Sequence, residues 1–227
     1  MWQDGLTSNT LDVFEKISKL DCIKDLYLCG GTGVSLQIQN RLSEDLDFEL
    51  LNYRGEKKNL DIASILGEIS EVFPNFKKEI LGEDHILCYV GNNVKLSFFR
   101  PINRVPELNE GFVYNNLKTV SLQDSLGMKL FTTTVRHTFR DYYDIYSLLQ
   151  DDKCSLEKGI KYALSFSRHQ VKSKMLCSTL LLPSLFLPDK HFSLMNPKYN
   201  VDNNQIASFL TEKLAGVQIK KKKGLKI

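Results

Sequence analysis

Apolar residues recur along the front of the chain at two alternating periods. Val13, Phe14, Ile17 and Leu20 share one helical face, which predicts a helix over 11–20. Residues 26–29 read as a short buried strand and run into the turn Gly30-Gly31, after which Thr32 is placed to cap a helix reaching about residue 40. Over 45–50 charged and apolar residues alternate, the period of a strand. A polar segment, 52–59, precedes Ile62, Ile65, Leu66, Ile69 and Phe73, which predict a helix over 60–73 that Pro74 ends. Three strands follow, 76–81, 85–90 and 94–99, joined by the turn sequences Gly82-Glu-Asp84 and Gly91-Asn-Asn93. Pro101 and Pro106 make 100–107 a loop.

The character changes near Leu117. Helical patterns dominate from Ser121 onward, clearest over 122–136, 141–149, 156–167 and 203–214, with a looser connection marked by Pro183, Pro188 and Pro197. The expected organisation is therefore an α+β core over 1–116, a helical domain over 117–219 and a basic tail over 220–227.

Composition narrows the class only slightly. The chain has 227 residues, 42% hydrophobic and 25% charged, as in ordinary folded domains. Its formal net charge of +3 falls to −2 without the five tail lysines, Lys220 to Lys223 and Lys226, so the body does not point to nucleic acid. The lysine run itself suits either an RNA backbone or a solvated chain end. Five cysteines without a Cys-x-x-Cys argue against a disulfide framework or a structural zinc site. The start lacks the regions of a signal peptide, and the most apolar stretch, 180–187, is short and broken by Pro183. A cytoplasmic protein with no membrane partner is expected.

Chemistry concentrates in two places. The first is Cys29-Gly-Gly-Thr-Gly33, followed by Arg41-Leu-Ser-Glu-Asp-Leu-Asp-Phe48. Asp45 and Asp47, two apart on a strand, point the same way and can share a divalent cation; Mg²⁺ suits such oxygen ligands completed by water and phosphate. Gly30 and Gly31 let the backbone approach a phosphate at a helix N-terminus, where Thr32 can add a hydroxyl. Arg41 can neutralise a phosphate oxygen and Ser43 can donate to one. Each element alone also has a bland reading: a solvated strand, a tight turn, a surface ion pair. Glu44 and Glu49 are expected to face solvent.

The second place is Met128-Lys-Leu130, then Arg136, then Arg140-Asp-Tyr-Tyr-Asp-Ile-Tyr146. Lys129 and Arg136, seven apart, fall near one helical face and can neutralise a triphosphate; Asp141 and Asp144 face similarly on the next helix. An interhelical salt bridge among these four is the competing explanation. Tyr142, Tyr143 and Tyr146 fit helix packing better than base stacking. His85, His137, His169 and His191 show no metal-ligand spacing.

Together the two motifs resemble the AbiEii/AbiGii nucleotidyltransferase toxin family of the polymerase β-like superfamily, over about 27–149. The resemblance implies a mixed sheet flanked by helices, followed by a mostly helical half, with the active cleft between them. It implies nucleotidyl transfer from an NTP with Mg²⁺, a cognate antitoxin, and in some relatives modification of the tRNA 3′ end. On this chain Gly31 and Thr32 would contact phosphate, Asp45 and Asp47 would hold Mg²⁺, Lys129 would bind the nucleotide phosphates, and Asp144, with Asp141 as second candidate, would complete the site. One departure is visible: the strand 94–99 offers Lys95, Ser97 and Phe99 where such a site has a third carboxylate. Ser97 in that place keeps open a non-catalytic nucleotide-binding or interaction module on the same fold. A plain RNA-binding protein has little support from a near-neutral body.

Overall fold

The structure is a computed structural model and describes residues 2–51, 58–100, 108–150, 153–167 and 171–222, the last five by backbone alone. The chain divides into two compact units, Met1–Ser121 and Leu122–Ile227. Most of the polar segment 52–59, most of the loop 100–107, His169 and the end of the lysine tail lie outside the described residues.

In the first unit, helix α1 (Ser8–Ile17) is capped by the Thr7 hydroxyl, which accepts from the Thr10 N–H, and buries Val13, Phe14 and Ile17. Strand β1 (Tyr27–Leu28) passes through Cys29 into helix α2 (Gly30–Ile38). That helix begins two residues earlier than Thr32, so Thr32 lies inside its first turn; the cap position belongs to Cys29, whose side chain makes no capping bond. Strand β2 (Leu46–Glu49) and helix α3 (Ile62–Val72) follow, the latter capped by the Asp61 carboxylate. The strands β3 (Lys77–Gly82), β4 (His85–Val90) and β5 (Val94–Phe99) form the expected meander, with Gly91 and Asn93 in left-handed conformation at its second turn.

Two further strands, β6 (Glu110–Tyr114) and β7 (Leu117–Val120), form a hairpin around Asn115-Asn116, with Asn115 at φ +52°. Asparagine tolerates that conformation through its short polar side chain. The hairpin is short and carries no Asn-Gly or Asp-Gly signal, so the sequence pattern passed over it. The first compact unit, Met1–Ser121, includes it. The sheet runs β3-β4-β5-β2-β1-β7-β6. The pairs β2–β5 and β1–β7 are parallel and the rest antiparallel, so the sheet is mixed. One face of it, carrying Leu46, Phe48, Ile86, Cys88, Leu96 and Phe98, packs with α1 and α3 into the core.

The second unit is helical: α4 (Leu122–Thr132), α5 (Phe139–Gln150), α6 (Leu156–Phe166), α7 (Ser173–Leu181) and α8 (Asn203–Lys222). Helix α4 stops at Thr132 rather than near 136, and the Thr133 and Thr134 hydroxyls donate back to the Leu130 and Phe131 carbonyls at its end. Helix α7 was hidden in the sequence by the prolines that follow it; Leu176 and Leu180, four apart, are its buried anchors. Helix α8 continues past Leu214 to Lys222. Tyr142 and Tyr143 are fully buried, Tyr142 stacked on Phe186 with ring centroids 3.6 Å apart. Tyr146 packs edge-on to Phe209. Among the described residues no helix is long and apolar enough to cross a membrane.

Candidate active site

Alternation along β2 sorts its side chains. Leu46 and Phe48 are buried in the core, so Asp45, Asp47 and Glu49 share the opposite face. The parallel pairing with β5 sets Ser97 beside Asp47, and one step back in the same register Lys95 lies beside Asp45. The Lys95 ammonium is 2.8 Å from Asp45 Oδ2, both side chains being partly exposed. Burial lowers the Lys95 pKa, but the hydrogen bond and charge of Asp45 outweigh it and hold the ammonium above its ordinary value. Ser97 Oγ lies 3.3 Å from His85 Nε2.

The glycine turn meets this face. The Cys29 N–H donates to the Asp47 carbonyl at 2.8 Å, so β1 delivers the turn to Asp47. Gly30 has φ +67°, a conformation that a side chain disfavours, and a Cβ there would stand 3.0 Å from Asp47 Oδ2. A Cβ on Gly31 would stand 2.2 Å from Arg41 Nη2, so a side chain there would displace the guanidinium. The first two residues of α2 are therefore covered by a carboxylate and a guanidinium. Arg41 is buried and donates to the Leu42 carbonyl at 3.0 Å. The Thr32 hydroxyl is bonded to Ser43 Oγ at 2.7 Å and donates to the Asp45 carbonyl. Thr32 and Ser43 thus clasp the start of α2 to the chain entering β2.

Glu44 is exposed, as expected, but Glu49 is not: only 8% of it is accessible. Its Oε2 is buried with no hydrogen-bond partner. Loss of hydration, and then the neighbouring charge of Asp47, push its pKa up to about 8. The strict alternation Asp45-x-Asp47-x-Glu49 was the available signal, since a strand that hides Asp47's neighbours on one face turns Glu49 to the face of Asp47.

The rear candidates form a closed cluster within the second unit. Lys129 on α4 is buried, with its ammonium 2.8 Å from Asp141 Oδ1 and 2.7 Å from Asp144 Oδ2, both on α5. Arg136 donates to both Asp141 oxygens, at 2.9 and 3.3 Å, and Thr138 Oγ1 donates to Asp141 Oδ2 at 2.5 Å. Burial raises the Asp141 pKa, but the charge of Lys129, then the hydrogen bond and charge of Arg136, together overcome it and hold the carboxyl well below the usual range. The interhelical ion pair weighed from the sequence is realised. The Arg136 side chain remains 62% exposed.

Among the described residues no three His, Cys, Asp or Glu side chains form a group able to hold a metal ion. Asp45 and Asp47 fit a different kind of site. Mg²⁺ is commonly held by one or two carboxylates plus substrate phosphates rather than by a protein cage, and two carboxylates beside a glycine turn match that donor set.

The model of the family described as "Nucleotidyl transferase AbiEii toxin, Type IV TA system" matches residues 13–94, which span α1 through the start of β5. An uncharacterized protein of Aquifex aeolicus (strain VF5) is 26% identical over 156 residues, 66% of this chain and 71% of the relative. A crystal structure of a candidate nucleotidyltransferase from H. pylori superposes with a TM-score of 0.55 at 18% identity, covering 96% of this chain and 98% of the other. MenT4, a nucleotidyltransferase toxin from Mycobacterium tuberculosis H37Rv, gives 0.54 at 15% identity, covering 91% and 86%. Residues 13–94 are thus similar to the AbiEii toxin model, and the chain shares its fold with solved nucleotidyltransferases.

Proposed function

We propose that the protein transfers a nucleotide from an NTP to an acceptor hydroxyl in a Mg²⁺-dependent reaction, as the toxin of a toxin–antitoxin pair, with the tRNA 3′ end as its acceptor. The observation that carries the reading is the seating of the Asp47 carboxylate on Gly30, which joins an acidic ligand to the N-terminus of α2. Mg²⁺, when bound, would neutralise charge on the reacting phosphates. Asp45 and Asp47 would hold it, while the backbone of Gly30, Gly31 and Thr32 faces the triphosphate. Arg41, packed on Gly31, adds fixed positive charge there. Ser43 acts through Thr32, holding the turn in shape. In the second unit Lys129, shared with Asp144, fixes Asp141, and Asp141 in turn orients the partly exposed Arg136 guanidinium as a cation open to a phosphate. Catalysis on this reading is positioning and charge stabilisation.

A second reading, a nucleotide-binding module without transferase activity, is favoured by Ser97 in the place of a third carboxylate. Labelled NTP incubated with total RNA and Mg²⁺ separates them. Label on tRNA with the wild type, and none with Asp47→Ala, is the expected result. NTP binding without transfer supports the module, and RNA binding indifferent to NTP rejects both. Co-expression with the product of the neighbouring reading frame tests the antitoxin, since growth should recover.

A further inference from the structure

Lys95 is a cation on the acidic face to which the family resemblance gives no task. It comes from the strand that ordinarily carries the third acid. Its ammonium sits 2.8 Å from Asp45 Oδ2, one register step from Ser97 and two strands' width from the turn at Gly30. A pair of divalent ions about 4 Å apart brings four positive charges together and needs bridging carboxylates to hold them. Here the partly exposed face presents Asp45 and Asp47, and the strand that would bring a further acid brings an ammonium to Asp45 instead. Glu49 lies on the same face but is buried, with only 8% of it accessible.

We propose that Lys95 takes the place of one of the two divalent ions, so that the protein works with a single Mg²⁺ carried in with the NTP. This rests on the nucleotidyltransferase reading above. Asp47 is then the principal protein ligand of that ion, and Asp45 divides its charge between the ion and Lys95. The ammonium supplies a fixed positive charge beside the reacting phosphate where Ser97 leaves no ligand for a metal. A point charge on a flexible stem suits this task, since it needs no coordination shell. In the step itself the acceptor oxygen bonds to the α-phosphorus, the bond from that phosphorus to the bridging oxygen breaks, pyrophosphate leaves with the electron pair, and the acceptor proton passes to water.

The test is a Mn²⁺ titration of the full chain, followed by electron paramagnetic resonance, with a non-hydrolysable NTP analogue present. The wild type should bind one Mn²⁺ per chain, and Lys95→Arg should do the same. Lys95→Met combined with Ser97→Asp should bind two, because the ammonium is gone and a third carboxylate stands in its usual place. In transfer assays Lys95→Met alone should lose about 100-fold, the size expected for removing one fixed charge-stabilising group. Adding Ser97→Asp should recover part of that loss. Thermal melting of each variant separates a folding defect from these effects. Two Mn²⁺ in the wild type, or full transfer by Lys95→Met, would overturn the role of Lys95 and leave the transferase reading intact. No Mn²⁺ bound in the presence of the analogue would instead sink the transferase reading itself.

Discussion

The two units each gather carboxylates and cations, and they treat them in opposite ways. In the second unit Lys129, Asp141 and Asp144 are buried and paired, and Arg136 and Thr138 complete the bonding of Asp141. In the first, Asp45 is half-exposed, Asp47 is pressed against a left-handed glycine, and Glu49 is buried with an oxygen that no group satisfies. A closed cluster stabilises one arrangement of helices. A face that buries a Glu49 oxygen without a hydrogen bond costs stability. Similar residue types in similar numbers therefore carry different meanings, and it is the satisfaction of their hydrogen bonds and charges that tells them apart.

Breaking the closed cluster should have the largest effect. Removing one partner of a buried ion pair leaves an uncompensated charge and typically costs roughly 3–5 kcal/mol. Asp141→Ala should destabilise the second unit by that order in denaturant melts, while Lys95→Met, which breaks a partly exposed pair, should cost under about 1 kcal/mol.

The pH dependence of the two units should run in opposite directions. Glu49 holds its proton in the folded state up to about pH 8, whereas in the unfolded chain it ionises near its ordinary value of 4.5. Between those values the folded state binds more protons than the unfolded state, so the stability of the first unit falls as pH rises through that window. Glu49→Gln should abolish the fall, leaving the mutant more stable than the wild type at pH 8.5 by roughly 3–5 kcal/mol as an upper bound and equal to it near pH 4. Asp141 has the opposite sign. Its folded pKa is depressed, so its stabilisation is complete above the unfolded value and is lost as pH falls below about 4. Melts at pH 3, 6 and 8.5, followed by probes in each unit, would show both slopes.

A smaller stability effect than at Asp141 or Glu49 is expected at the glycine turn. Gly30→Ala must hold a side chain at positive φ, at a cost of about 1–2 kcal/mol. Its effect on nucleotide binding should exceed that, because the new methyl group would crowd Asp47 Oδ2.

Much of the front unit was legible in the sequence because its signals are local. Alternation set Asp45 and Asp47 on one face, Pro74 closed α3, and Gly91 and Asn93 marked a hairpin. What escaped depended on partners far along the chain. The β6–β7 hairpin becomes a strand pair only by joining the sheet beside β1. The buried state of Glu49 follows from the elements packed around the end of β2, which no local pattern records. In the rear, the spacing of Lys129, Arg136, Asp141 and Asp144 was visible, but not which contacts they make. A lysine that is 6% exposed and shared between two aspartates cannot be told by spacing from one that waits for a phosphate.

Asp47 is the carboxylate proposed to join a cation to the glycine turn. Equilibrium binding of a non-hydrolysable NTP analogue, measured calorimetrically with and without Mg²⁺, addresses it most directly. The wild type should bind only with Mg²⁺, and Asp47→Asn, with unchanged melting behaviour, should lose that dependence together with most of the affinity. Equal, Mg²⁺-dependent binding by a well-folded Asp47→Asn protein would contradict it.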